Sequence, residues 1–308
     1  MKDSFALVRD SGKDFIEDDC PTQAAALSYY TIFSLPPLLV LILMLLGALL
    51  DPQDIRGQLE TQIGSLMGPS ATEQVRTILQ QAHGPGSGAL LPTVLSIVAL
   101  LLGASGAFGQ LQVALNRAWE VAPDPAQGGL KAFLLKRVFS FGMILSVAFL
   151  LLVSLILSAA LSAFGGALAG MLPEGVSATL LQVLNQVVSL AVITALFAAI
   201  FKVLPDATVA WRDVWVGAAV TALLFVVGKF LIGYYLGRSN PGQAFGAAGS
   251  LAVMFVWIYY SSMILLLGAE FTQTWAERLG GGIAPERGAI RVVQEKKRMP
   301  EGRTAAAS

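Results

Sequence analysis

Charged and polar side chains within or beside long apolar segments are the residues of this chain best suited to chemistry. Lys229 and Glu270 each interrupt an apolar stretch, and Arg117 and Lys202 stand where two other stretches end. Ionisable groups in such segments mark substrate or ion pathways, or pair with an opposite charge. The other polar candidates for an intramembrane site or a vestibule are Gln182, Asn185, Gln186, Tyr29 and Tyr30.

These charges admit a structural and a functional interpretation. In the structural one, Glu270 forms an ion pair with Arg117 or Lys202, because an unpaired carboxylate near hydrocarbon is costly. In the functional one, the same groups belong to a polar path, and Lys229 directs its ammonium group into the protein. The long Lys229 side chain can instead extend toward the lipid headgroups. The sequence leaves both interpretations open.

The sequence argues against an enzyme. A nuclease needs clustered carboxylates for metal ions, or an acid and a base near a phosphate, and the pattern shows neither. One histidine, His83, and one cysteine, Cys20, cannot form a Cys/His zinc site. No GxSxG motif joins a strand to a helix, as a serine hydrolase would require. We therefore expect no catalytic residue, no metal site and no cofactor.

Six apolar segments must position the candidate side chains. The chain has 308 residues, of which 55% are hydrophobic and 13% charged, and its mean hydropathy is +0.69. Such a composition is typical of an integral membrane protein. We predict an all-α bundle of six transmembrane helices at about residues 23–50, 89–113, 138–162, 180–204, 213–236 and 247–272.

Two features depart from a simple bundle. Pro36 and Pro37 remove two backbone donors, which predicts a break in the first helix that faces the bundle interior. Apolar residues at helical spacing within residues 51–88 predict two short amphipathic helices in an extracytoplasmic loop. We assign residues 1–276 to one membrane domain and residues 277–308 to a mostly disordered tail.

Basic residues indicate the orientation in the membrane. Sixteen of the 20 Lys and Arg residues fall in the two tails and in the segments 114–137 and 202–213. Because basic residues concentrate on the cytoplasmic side, both termini are expected in the cytoplasm. An even number of spans agrees with that orientation.

With these segments placed, the chain resembles the YihY/BrkB family of bacterial inner-membrane proteins, some of which have been labelled ribonuclease BN. The similarity lies in QAAALSYYTIFSLPP (23–37), ALNRAW (114–119), Lys202–Pro205 with Trp215, Gly228–Lys229, FGAAGSLAVMFVWIYY (245–260) and GAEF (268–271). It extends over residues 23–275. The resemblance implies a six-span protein of the bacterial plasma membrane, with links to serum resistance and envelope lipid transport, and it fixes no reaction.

Three functions follow from these observations. The leading hypothesis is a transporter-like protein that moves or binds an anionic amphiphile or envelope lipid, since Lys229 supplies a cation inside the bundle. The first alternative is an ion- or proton-coupled carrier that uses Glu270. The second is a membrane scaffold that transports nothing. Membrane lipids are the expected partners, and a net charge of zero gives no global attraction to nucleic acid.

Overall fold

The structure is a computed structural model that describes residues 2–47, 106–127, 176–239 and 248–292, with the isolated positions 57, 60, 64, 72, 73, 76 and 77. Its helices, in chain order, are α1 (Lys2–Glu17), α2 (Cys20–Gly47), α3 (106–118), α4 (Val176–Val203), α5 (Trp211–Ser239) and α6 (Gly249–Arg278). The strands are β1 (Val121–Pro123), β2 (Ala207–Thr208), β3 (Ala284–Pro285) and β4 (Ala289–Arg291), and Pro125–Gln127 forms a 3-10 turn. The predicted helical class is confirmed.

Within the part of the chain that the structure describes, three helices are long and apolar enough to cross a membrane. The qualifying segments are Gln186–Val203 in α4, Trp211–Tyr235 in α5 and Leu251–Arg278 in α6. They correspond to the fourth, fifth and sixth predicted spans. The third predicted span and most of the second lie outside the described residues, so the count of six stays a prediction.

Helix α6 occupies the centre of the described bundle. In its spanning segment 44% of the residues are buried, against 17% in that of α4. Trp257 is buried, and Tyr259 and Tyr260 pack against the core from partly buried positions. These aromatic side chains therefore face protein. Small residues such as Ala218 and Ala222 on α5, both fully buried, complete the tight packing.

Glycine and threonine residues interlock α5 with α6. A Cβ atom added at Gly217 would overlap the hydroxyl of Thr272, and one added at Gly268 would overlap that of Thr221. Each hydroxyl donates within its own helix, Thr221 to the carbonyl of Gly217 at 2.7 Å and Thr272 to that of Gly268 at 2.6 Å. The two GxxxT motifs thus face each other and bring the helix backbones close together.

Helix α2 passes through Pro36 and Pro37 without interruption, so the predicted break in the first helix is not present in the structure. The two prolines remove only the hydrogen bonds to the carbonyls of Ile32 and Phe33. The remaining ladder of this 28-residue helix keeps it continuous. Proline is tolerated more readily in a membrane helix than in a helix in water, because neighbouring helices and hydroxyl side chains satisfy the freed carbonyl groups.

The first part of the tail predicted to be mostly disordered, residues 279–292, forms two short strands. Strand β4 pairs antiparallel with β1, and β3 pairs antiparallel with β2. The backbone N–H of Val292 donates to the carbonyl of Glu120 at 2.8 Å. Residues 279–292 therefore cover the loops that follow α3 and α4, whereas residues 293–308 lie outside the described part of the chain.

The loop after α2 is described only at isolated positions, all of which are helical. Arg76 forms ion pairs with Glu60 at 2.8 Å and with Glu73 at 3.4 Å. A Cβ atom added at Gly64 would lie 2.8 Å from the Thr72 hydroxyl. These contacts join positions 60 and 64 to positions 76 and 72, while the two short helices predicted there otherwise lie outside the described residues.

Candidate functional site

An acidic cavity of about 950 Å³ opens beside α1, α3 and α6. Two arginines, Arg117 and Arg278, are the only basic residues among its described lining. The carboxyl groups that line it are those of Asp10, Asp14, Glu17, Asp18, Glu120, Asp206, Glu270 and Glu277. The acidic cavity therefore has an excess of negative charge, which attracts cations and repels anions.

Glu270 lies in the wall of the acidic cavity on α6. Its side chain is 0% exposed, and its Oε1 accepts a hydrogen bond from the Sγ of Cys20 at 3.2 Å. Its Oε2 is buried and has no hydrogen-bond partner. A buried carboxyl oxygen without a partner is costly, and a proton or a bound cation would satisfy it.

Helix α1 closes the cavity from one side by docking on the end of α6. The hydroxyls of Ser11 and Thr274 lie 3.2 Å apart, and Arg278 forms an ion pair with Asp10. Ser11 and Leu7 are buried against the bundle. Asp10 and Asp14 are four residues apart in α1, so they lie on the same face of the helix. Both line the cavity.

Asp14 and Asp18 form an acidic pair one helical turn apart. Burial is the main cause that raises the pKa of Asp18 to about 6, with Glu120 and Asp14 adding repulsion and Arg117 opposing the shift. Burial also raises the pKa of Asp14 above its ordinary value, with nearby acids adding to it and Lys13 opposing it. Both pKa shifts come mainly from burial, which favours the neutral form of each carboxyl group.

Amide side chains of α3 fix another wall. The Nδ2 of Asn116 donates to Asp206 at 2.8 Å, and the Nε2 of Gln112 donates to the same carboxylate at 3.2 Å. Asn116 in turn accepts from the backbone N–H of Asp206 at 2.8 Å. These bonds hold the turn after α4 against α3 and occupy the Asp206 carboxylate with neutral donors.

A single guanidinium joins the outer acids of the cavity. Arg291 on β4 pairs with Glu120 at 3.1 Å and also with Glu277. The β1 and β4 pairing places Arg291 opposite Val121, beside Glu120. Two carboxylates share one cation here, so this edge of the cavity also keeps a negative excess.

The predicted ion pair of Glu270 is wrong in this structure. No Arg or Lys nitrogen of the described residues lies within salt-bridge distance of it, and Cys20 is its partner instead. Arg117 lines the same cavity, but its Nε is buried without a hydrogen-bond partner. Lys202 donates to the carbonyl of Val209 at 2.5 Å and lies 5.6 Å from the ring centre of Trp211. Both basic residues are near a helix end, yet neither is directed at Glu270.

The remaining predicted site residues do not line the acidic cavity. Lys229 is half-buried on α5, and no ion-pair partner of it lies among the described residues. Tyr29 and Tyr30 are exposed and contact each other edge to face, and Gln186 is exposed on α4. The side chains of Gln182 and Asn185 lie outside the described residues. Of the predicted set, the structure brings only Glu270 and Arg117 to one cavity.

Sequence reasoning missed the contribution of α1. Asp14, Asp18 and Cys20 were available in the sequence, but the amino-terminal segment was not assigned to a helix. The usable signal was Leu7, Ser11 and Asp14 at spacings of four and three, which places them on one helical face. No group of three or more His, Cys, Asp or Glu residues in the described part of the chain could hold a metal ion.

Comparisons with known proteins agree on the family. The family profile described as Virulence factor BrkB matches residues 12–290. A UPF0761 membrane protein of Tolumonas auensis is 39% identical over 77 residues, which cover 25% of this chain and 26% of that protein. One of Alcanivorax borkumensis is 28% identical over 262 residues, which cover 85% of this chain and 58% of that protein. The chain thus spans only part of these two relatives.

A third relative carries a different kind of name. The Bacillus subtilis protein named ribonuclease-like protein YfkH is 26% identical over 252 residues, which cover 81% of this chain and 87% of that protein. No solved structure matches the chain. The family profile covers most of the sequence and agrees with the apolar helices and with relatives named as membrane proteins. The chain therefore belongs to the BrkB family of membrane proteins.

Proposed function

We propose that this protein is a carrier of the bacterial inner membrane in which Glu270 binds a proton or a cation coupled to movement of a cargo. Both termini lie in the cytoplasm, so the acidic cavity opens toward the cytoplasm. The carboxyl of Glu270 closes the inner end of that cavity, and binding at its Oε2 changes the charge beside the bundle core. The match to a family of membrane proteins supports a location in the membrane, and the cavity lined by Glu270 supports that residue as the binding site.

One observation carries this proposal: Glu270 is fully buried in a spanning helix, lines a cavity and has one oxygen without a partner. A residue that only fixes a helix end would be expected to spend both oxygens on protein donors. Intramembrane carboxyl groups that face a cavity mark proton and ion pathways. Gly268 and Thr272, two residues to either side of Glu270, pack closely against α5.

An anionic amphiphile or envelope lipid stays a second candidate cargo. Its support is Lys229, a half-buried cation with no ion-pair partner among the described residues. The excess of acids in the cavity disfavours an anion there, so such a cargo would use a separate site on α5. A scaffold without transport requires neither the cavity nor the unpartnered carboxyl oxygen.

We also propose that the chain has no ribonuclease activity. RNA carries one negative charge per phosphate, and the acidic cavity would repel it. The described residues hold no carboxylate cluster able to bind the metal ions that nuclease chemistry employs.

Proton movement through purified protein tests the coupling role. The full chain is reconstituted into vesicles of phosphatidylethanolamine and phosphatidylglycerol that contain a pH-sensitive dye, and a potassium diffusion potential drives proton entry. We expect protein-dependent acidification in the native chain and none in Glu270→Gln. The matched control is Glu17→Gln, which removes an exposed carboxylate from the rim of the same cavity.

Folding must be scored in the same experiment. If Glu270→Gln is folded and carries protons at the native rate, Glu270 has no coupling role. If the variant does not fold, Glu270→Asp replaces it, and a native rate of proton flux in that shorter carboxylic acid is the expected result. Failure of both variants to fold in detergent assigns Glu270 to structure alone and refutes the proposal.

A further inference from the structure

We propose that the acidic cavity binds a linear aliphatic polyamine, a molecule in which protonated amines alternate with short runs of methylene groups. This inference rests on the proposed function in treating the cavity as the entrance for a cargo. It names the chemical class of that cargo, and equilibrium binding tests it independently of proton movement.

The inner part of the cavity supplies the first site for an ammonium group. Asp14, Asp18 and Glu270 line it, and none of them has a salt-bridge partner among the described residues. Glu270 is 0% exposed, and its Oε2 is the buried atom without a partner. Arg117 lines the same cavity and acts on Asp18, and one guanidinium cannot neutralise three carboxylates.

The outer part supplies a second site. Glu120 and Glu277 line the cavity and share a single guanidinium, that of Arg291. The inner and outer acids therefore form two negative groups in one cavity. A ligand with a single charge would satisfy only one of them, whereas a chain with two or more ammonium groups reaches both.

Apolar side chains that line the same cavity match the spacers of such a ligand. Val113, Val121, Pro123 and Val292 line the same cavity as the carboxylates. Methylene groups gain free energy by contact with these side chains, while each ammonium donates charge-assisted hydrogen bonds to a carboxylate. A volume of about 950 Å³ lies within the range of small-molecule sites.

A metal ion fits this cavity less well. Divalent ions require several oxygen ligands converging at 2.0–2.6 Å, approximately, around one point. No group of His, Cys, Asp or Glu residues in the described part of the chain is close enough to provide them. Dispersed carboxylates in a wide cavity are suited to a long, flexible cation.

Isothermal titration calorimetry with spermidine tests the inference on the full chain in a nonionic detergent, near neutral pH and at physiological salt. We expect saturable binding of one spermidine per chain. In Asp14→Asn/Asp18→Asn the affinity should fall by about tenfold or more, because two charge-assisted hydrogen bonds are weakened. The matched control, Asp19→Asn/Glu73→Gln, removes two carboxylates that do not line the cavity and should bind as the native chain does.

Three results would overturn the inference. They are no saturable heat with spermidine, unchanged affinity in the folded Asp14→Asn/Asp18→Asn variant, and magnesium ions binding in place of spermidine at equal concentration. Should that variant fail to fold, Glu120→Gln provides the same test at the outer acids. Spermidine binding without Glu270-dependent proton flux refutes only the coupling role. Proton flux without spermidine binding refutes only the cargo class.

Discussion

At the scale of single residues, the partner of Glu270 decides what this carboxyl group can do. A thiol is a weak donor, so the Sγ of Cys20 at 3.2 Å orients Oε1 without neutralising its charge. An arginine in that place would hold both oxygens in a fixed ion pair. The observed arrangement leaves Oε2 without a protein partner, so it can take up a proton or a cation. A purely structural carboxylate would have both oxygens paired.

Burial of Cys20 predicts its reactivity. It is the only cysteine of the chain and is 2% exposed against Glu270. We expect no labelling of the native protein by a fluorogenic maleimide in detergent, followed by stoichiometric labelling on thermal unfolding. The measurement is fluorescence during a temperature ramp. Rapid, complete labelling of the folded chain would show that the contact between α1, α2 and α6 is open.

Asp18 predicts a dependence of stability on pH. Burial raises its pKa from 3.8 to about 6, so the folded chain holds this proton more tightly than the unfolded chain does. The contribution of Asp18 is therefore favourable at low pH and is lost as the pH rises through about 6. In Asp18→Asn we expect the melting temperature to fall less between about pH 4 and pH 7 than in the native protein.

The matched control for that prediction is Asp19→Asn. Asp19 adjoins Asp18 but is exposed, and its carboxylate accepts a hydrogen bond from Thr22 at 2.8 Å, which asparagine can also accept. An identical pH profile for Asp18→Asn and the native chain would mean that water reaches Asp18 freely.

Residue types alone identified part of this site. Glu270 and Arg117 stood out because charges beside apolar stretches are rare, and the structure places both at the cavity. Their pairing was wrong because position along a span gives depth, while the direction of a side chain around the helix depends on packing. Asp14 and Asp18 were missed because acids in a polar segment look like solvated surface until the helix that carries them is docked.

At the scale of elements, the interlock of α5 and α6 sets the position of Glu270. Gly268→Ala would place a methyl group on the hydroxyl of Thr221, and the two helices would have to separate. We expect a loss of about 1–3 kcal/mol of stability, the usual cost of overpacking a core. The thermal assay at Cys20 measures it, and proton flux should fall as Glu270 is displaced.

Gly233→Ala is the control within the same pair of helices. A Cβ atom added at Gly233 meets nothing within 4 Å, and alanine favours a helix more than glycine does. This variant should be as stable as the native protein or more so. Equal effects of the two substitutions would show that α5 and α6 are not in close contact at Gly268.

The elements also show where sequence patterns were sufficient. Long apolar runs placed α4, α5 and α6 correctly, since hydropathy reports directly on burial in lipid or core. Pro36 and Pro37 led to a wrong prediction of a helix break. The loss of two hydrogen bonds is outweighed by the remaining contacts of the 28-residue helix. The strands β3 and β4 were invisible because two or three residues carry no periodicity, and their pairing is with distant loops.

At the scale of the whole molecule, the segment after α6, residues 279–292, joins the described helices at one end of the bundle. Backbone bonds from residues 279–292 reach the loops after α3 and α4 as well as α6 itself. Gly281 donates to Asp213 at 3.0 Å, and a Cβ atom at Gly280 would overlap the same carboxylate. The end of α6 is thereby fastened to the start of α5, on the same end of the bundle as the acidic cavity.

Removal of residues 283–308 tests whether the segment after α6 stabilises this end of the bundle. A chain ending at Gly282 lacks β3, β4 and the Arg291 ion pairs with Glu120 and Glu277. We expect a lower melting temperature and a wider, more negative cavity that binds spermidine more tightly, because Glu120 and Glu277 lose their shared guanidinium. A chain ending at Glu295 keeps every described contact and should match the full-length protein in both measurements.

Orientation in the membrane is the prediction on which the cargo's direction depends. Sixteen of 20 basic residues lie in segments assigned to one side, and six spans return the chain to that side. Alkaline phosphatase fused at Gly86 should be active, because the loop after α2 would lie outside, whereas the same enzyme fused at Gly302 should be inactive. Green fluorescent protein at Gly302 should fluoresce in the cytoplasm. The opposite pattern would turn the acidic cavity outward, and the carrier would then take its cation from outside the cell.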